Sequence, residues 1–192
     1  MINKIAFFIF IVILFTCSCS ISRNDSLLQD TIAHYRASGG AYIVMDMQTN
    51  KIITEKVIDF DLNKPYQPDF SVLGINESLQ PKQILQQYIM NVSDNPRLHK
   101  LLRENVLFGE AKNVNIPNIN IYGLTATTNK GTTKEVITTF LGHFIAPGHT
   151  YGIIVILDNP QPLRETYSFR SAGWNVINLA RELIITLTTE LR

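Results

Sequence analysis

Residues 151–158 read Tyr-Gly-Ile-Ile-Val-Ile-Leu-Asp, with almost no polar side chain among them. A strand that alternates polar and apolar residues can keep one face in water; this run cannot. It therefore predicts a central strand covered on both faces, with Asn159-Pro160 ending it. Cover on both sides of a sheet implies a layered domain. The 192 residues, 45% apolar and 17% charged, suffice for one such domain and its core, not two.

The remaining segments supply the layers. Leu27, Leu28, Ile32 and Tyr35 recur at helical spacing, so residues 24–38 predict a helix capped by Asn24 or Asp25 and ended by Gly39-Gly40. Residues 41–47 and 51–58 predict two strands joined by the turn Gln48-Thr49-Asn50. Pro65, Pro68 and Gly74 make residues 59–75 irregular. Ser78-Leu79-Gln80-Pro81 opens a helix whose apolar face is Ile84, Leu85, Tyr88 and Ile89. Ser93-Asp94-Asn95-Pro96 opens another, with Leu98, Leu101, Leu102 and Val106 inward. Strands follow at 119–127, 136–144 and 151–158, then a helix over 172–191 that places Trp174, Ile177, Ala180, Ile184, Leu187 and Leu191 on one face. Short connections within each strand group argue for antiparallel pairing. The expected fold is α+β: an antiparallel five-stranded sheet covered by N- and C-terminal helices.

Residues 1–19 form a separate unit. Lys4 precedes eleven apolar residues, 5–15, and then Thr16-Cys17-Ser18-Cys19. A basic start, a short apolar run and small residues read as a secretory signal, and the run is shorter than the roughly 20 residues of a membrane-spanning helix. The unit resembles a bacterial lipoprotein signal. Ser18 before Cys19 suits that pattern, whereas Thr16 and Cys17 match it poorly. Lipidation at Cys19 or Cys17, plain cleavage and an uncleaved anchor all place residues 20–192, one domain, on the outer side of the inner membrane or attached to it. No cysteine follows residue 19, so a disulfide framework is not expected.

Charge narrows the partners. Lys+Arg total 17 against 16 Asp+Glu, and Lys4 accounts for the difference. No basic tract offers a phosphate-binding stripe, so nucleic acid is not an expected partner. The four histidines are scattered, with no HExxH or paired CxxC, so neither a metal nor another cofactor is expected.

Several segments, in order, resemble the transpeptidase domain of the class B penicillin-binding proteins that act in septum synthesis. Residues 40–52 resemble that family's first hairpin, and Asp59-Phe60-Asp61-Leu62-Asn63 the segment leaving it. Ser78-Leu79-Gln80-Pro81-Lys82-Gln83-Ile84 is similar to its Ser/Thr-Pro-Leu-Gln helix start. Residues 98–106, with Gly109 and Ala111-Lys112, resemble the helix and loop before its Lys-Thr-Gly strand. Residues 140–147 and 154–160 resemble its last two strands. The resemblance implies a transpeptidase-like fold acting in peptidoglycan synthesis at the cell envelope.

The departures from the family pattern fall on its chemistry. Tyr122-Gly123-Leu124-Thr125-Ala126-Thr127-Thr128 stands where the family carries Lys-Thr-Gly-Thr-Ala. Leu124 replaces the lysine and Ala126 the glycine, leaving Leu124, Thr125, Ala126 and Thr127 as a degenerate motif strand. None of the ten serines is followed three residues later by lysine, so the family's Ser-x-x-Lys nucleophile motif is absent. The stretch between Asn63 and Ser78 is too short for the family's helical lobe, which is expected to be largely missing. No catalytic residue is therefore assigned.

Other residues have plainer readings. Ser93-Asp94-Asn95 spells the family's Ser-x-Asn but lies at a helix start, where these residues cap free N–H groups. Thr125 and Thr127 suit a strand by β-branching. His143 and His149 read as surface histidines flanking the Pro147-Gly148 turn. Asp59 and Asp61 read as loop-entry residues, Lys130-Gly131 as a turn and Trp174 as a core anchor. Acyl transfer by serine needs a nucleophile, a base within reach and oxyanion donors, and only a backbone remnant of the third remains. The expectation is a catalytically inactive transpeptidase-like domain, a pseudoenzyme, that binds an envelope protein of the division or elongation machinery. The alternative is a residual penicillin-binding D,D-transpeptidase acting on peptidoglycan stem peptides.

Overall fold

The computed structural model describes residues 22–163 and 172–190. Cys17, Cys19 and Leu191 lie outside them. The apolar run forms the middle of a five-stranded antiparallel sheet, in the order β2-β1-β5-β4-β3. The strands are β1 (Gly39–Asp46), β2 (Ile52–Ile58), β3 (Asn120–Asn129), β4 (Val136–Ala146) and β5 (His149–Asp158). In β5 every residue from Tyr151 to Leu157 is buried. Local turn chemistry closes both hairpins. The Asp46 carboxylate accepts from the N–H groups of Gln48 and Thr49 at 2.9 and 2.8 Å, an aspartate turn between β1 and β2. Gly148, at φ 82°, turns β4 into β5 in a conformation that costs glycine nothing.

Four helices are described: α1 (Ser22–Tyr35), α2 (Pro81–Val92), α3 (Pro96–Phe108) and α4 (Val176–Glu190). The terminal pair, α1 and α4, covers one face of the sheet, where Leu28, Tyr42, Phe140, Val155, Ile177 and Leu183 share a core. The other face carries a second core. There Ile43, Leu124, Leu141 and Ile154 of the sheet meet Leu85 and Leu102 of α2 and α3, and Tyr66 and Phe70 of the connection 59–80. That connection is tied by the bridges Tyr66–Leu79 and Phe70–Ile75 and crosses the sheet as a strap. Burial on both faces offsets the conformational entropy of ordering the strap. A bare apolar face, the expected consequence of a lost lobe, is therefore not what the structure shows. Strap, α2 and α3 fill it.

Close approach explains two glycine positions. A Cβ on Gly152 of β5 would lie 3.1 Å from Ile89 Cδ1 and 3.2 Å from Leu85 Cδ1, so this glycine lets α2 settle onto the sheet. Gly39-Gly40 does not end α1 as expected. Both residues belong to β1, and a Cβ on Gly40 would meet the Leu28 side chain of α1 at 3.2 Å. Helix α1 ends instead at Arg36, which takes φ 48°. Leu101, expected inward, is exposed on α3. The last helix begins at Val176, preceded by a 3-10 turn over Ala172–Trp174. The free edge at β2 carries a bulge at Ile53, where the register slips between Val44 and Met45, and the charges Glu55 and Lys56. Bulges and edge charges discourage strand addition.

Candidate functional site

Strand β3 lies at the sheet edge opposite β2 and pairs with β4. The register sets Leu124 against Leu141 and Ala126 against Thr139. Side chains alternate along a strand, so Leu124 and Ala126 face the second core together. Leu124 is 5% exposed. Thr125 and Thr127 face the other way, and both hydroxyls are engaged. Thr125 Oγ1 donates to Glu110 Oε2 at 3.3 Å, and Thr127 Oγ1 accepts from the Ala172 N–H at 3.0 Å. The degenerate strand is thus packed below and pinned above.

The structure brings a serine to this strand that sequence reasoning passed over. Ser71 opens a 3-10 turn, Ser71–Leu73. It lines a groove of about 260 Å³ together with Asp69 of the strap and Thr127 and Thr128 of β3. Three residues after it comes Gly74, at φ 75°, where a Ser-x-x-Lys motif would place its lysine. The Ser71 hydroxyl donates to Asp69 Oδ1 at 2.9 Å. A Ser–Asp pair without an adjacent amine or imidazole lacks the base that activates serine nucleophiles. The available signal was a serine at a turn start shortly after Pro68. Its approach to β3 depends on the strap crossing the sheet, which no local pattern encodes.

A larger open groove, about 800 Å³, adjoins the same end of β3 and is lined by Asp59, Asp61, Lys64, Tyr66, Lys130 and Asp158 among others. Its lysine is not free. Lys130 Nζ donates to Asp158 Oδ1 and Oδ2 at 2.9 and 3.1 Å and lies 3.4 Å from Glu135 Oε2. The Asp158 hydrogen bond, opposed by partial burial, raises the Lys130 pKa, so the ammonium keeps its proton. Asp61 Oδ1 accepts from the Asn63 N–H at 2.9 Å, and Asp59 takes φ 47°; both act as loop residues. Ser93-Asp94-Asn95 makes a helix junction. Asn95 Oδ1 accepts from the Leu98 N–H at 3.2 Å and Ser93 Oγ donates to the Ile89 carbonyl at 2.7 Å. Among the described residues no group of three or more His, Cys, Asp or Glu side chains could hold a metal ion.

Two expectations are corrected here. His143 is not a surface residue: it is 1% exposed, on β4 opposite Tyr122 of β3. Alternation places it on the same face as Leu141, so α2 and α3 cover it. His149 is exposed, as expected, with Nδ1 2.8 Å from Asp46 Oδ2. Trp174 is 65% exposed and does not anchor the core. The 3-10 turn that carries it breaks the helical phase from which its inward position was inferred.

No family model matches the sequence, and no curated protein matches it. Solved structures do. The transpeptidase domain of the FtsI4 D,D-transpeptidase from Legionella pneumophila is 14% identical at a TM-score of 0.67, covering 84% of this chain and 93% of that one. The TP domain of Burkholderia pseudomallei penicillin-binding protein 3 is 11% identical at 0.63, covering 88% and 93%. Penicillin-binding protein 3 from Mycobacterium tuberculosis is 12% identical at 0.61, covering 85% and 76%. With this sheet order and both of its covered faces, the chain has the fold of penicillin-binding-protein transpeptidase domains.

Proposed function

We propose that this chain is a cell-envelope domain of transpeptidase fold that does not carry out serine acyl transfer and instead binds a protein partner in peptidoglycan synthesis or division. The observation that carries the reading is Leu124. At the position the resemblance assigns to the motif lysine, a leucine lies in the core opposite Leu141. Ser71 supports the same reading, since it meets β3 across a groove yet is followed by Gly74 and bonded only to a carboxylate among the contacts described above. A serine without a base and a strand without its lysine supply neither proton transfer nor attraction for a carboxylate-bearing peptide. The apolar run of residues 5–15 after Lys4 supports placement at the envelope.

The test is a fluorescent penicillin incubated with the full chain and with Ser71→Ala, each followed by intact mass. No adduct on folded protein is expected. A stoichiometric acyl adduct lost in Ser71→Ala would refute the inactive reading and make Ser71 a nucleophile. Co-purification from crosslinked envelopes tests the binding half: recovery of no peptidoglycan-synthesis or division protein above a control domain counts against it.

A further inference from the structure

His143 sits in a group of polar rings contributed by four elements. Its Nδ1 is 2.7 Å from the Tyr88 hydroxyl of α2. Its ring stacks on Tyr122 of β3, centroids 4.5 Å apart and planes 7° from parallel. His99 of α3 meets it edge-on at 5.1 Å and meets Tyr122 at 5.5 Å. Arg103 of α3 lies 5.9 Å from the centre of the Tyr122 ring and donates to the Ile121 carbonyl at 2.9 Å. From β5 the facing residue is Gly152, which has no side chain to offer. On α3 the nearest acid in sequence, Glu104, is exposed and pairs with Lys100 at 3.8 Å.

Every titratable neighbour named here is neutral or becomes a cation; none is an anion. Burial raises the Tyr88 pKa well above the ordinary tyrosine value, so its hydroxyl keeps a proton to donate to Nδ1, and His143 carries its own proton on Nε2. Protonating Nδ1 would reverse that bond and put a positive charge in the core, beside His99. Stacking on Tyr122 offsets part of the cost through the ring face. Burial dominates the balance, followed by repulsion from His99, and the two hold the His143 pKa down at about 3.

We propose that the His143–Tyr88–Tyr122–His99 group is an acid-sensitive latch that fastens the α2–α3 pair to β3 and β4 and loosens that pair first as pH falls. The second core depends on these two helices, whereas α1 and α4 pack on the opposite face with no contact to the latch in the described residues. When only the open state binds the proton, its equilibrium population rises about tenfold per pH unit below the ordinary histidine value of about 6.5.

The measurement is hydrogen exchange on the full chain at pH 7, 6 and 5, corrected for intrinsic rates, in wild type, His143→Gln and His99→Gln. Expected in wild type is about a tenfold loss of protection per pH unit in α2 and α3, with α1 and α4 unchanged over the same range. His99→Gln, at a half-buried position that tolerates change, is expected to make the loss shallower at the acid end, because His143 then accepts a proton more readily in the closed state. Equal loss in all four helices, or none in α2 and α3, overturns the latch. So does an unchanged slope in His143→Gln. Should that variant fail to fold, the His99→Gln comparison decides.

Discussion

Restoring the missing lysine is the sharpest test of the buried strand. Leu124→Lys would place an ammonium against Leu141 in the second core. The side chain can escape the full cost of a buried charge by losing its proton. At pH 7 that costs about 4.6 kcal/mol, taking an ordinary lysine pKa of about 10.4 and about 1.36 kcal/mol per unit. Lysine's methylenes replace most of leucine's apolar contact, so the further loss is about 1 kcal/mol. The sum, about 5–6 kcal/mol, rivals the whole stability of a typical domain, about 5–15 kcal/mol. The sign with pH is fixed. A lysine whose folded pKa is lowered costs most at neutral pH, and the cost fades as pH rises towards the unfolded value. Urea denaturation of wild type, Leu124→Lys and Leu124→Met at pH 7 and pH 10 reads this directly. Leu124→Met is expected to cost under about 1.5 kcal/mol. A loss below about 1 kcal/mol for the lysine variant at pH 7 would mean that the side chain reaches solvent. The strand would then face an open cleft, and the argument for an inactive site would fail. Penicillin acylation of Leu124→Lys is not expected, because Ser71 would still lack a base.

Three further outcomes follow from the packing. Gly152→Ala places a methyl 3.1 Å from Ile89 Cδ1 and is expected to lower stability by about 1–3 kcal/mol in urea titration; no change would mean that α2 is not seated on β5. Trp174→Ala is expected to shift the denaturation midpoint by less than the equivalent of about 0.5 kcal/mol, and the emission of this single tryptophan to be solvent-like in the folded protein; a blue-shifted emission would contradict its exposure. Asp46, whose pKa is lowered chiefly by the Thr49 N–H against a smaller opposing effect of burial, stabilises the fold above the ordinary aspartate value, and that contribution is lost as pH falls through the lower folded value. Asp46→Asn is therefore expected to lower the melting temperature at pH 7 and to leave it nearly unchanged below pH 3; an equal loss at both would assign the effect to something other than the carboxylate charge.

Element types were legible because their signals are local. An apolar run without alternation can only be a doubly covered strand, and β5 occupies that place. Asn95 before Pro96 marks a helix start because a cap needs one side chain and one N–H three residues on. Leu124 and Ala126 also stood out in the sequence, since what mattered was the residue type itself. Tertiary structure decided the rest. His143 became a core residue because alternation along β4 gave it a face and two helices from elsewhere in the chain covered that face. Trp174 left the core because a 3-10 turn shifted the phase on which its inward position depended. Ser71 reached β3 only because the strap of residues 59–80 crosses the sheet. Local periodicity states which side of an element is apolar. Which other element covers that side, and which lone serine or histidine it carries along, depends on contacts between residues far apart in sequence, and those form only when the whole domain packs.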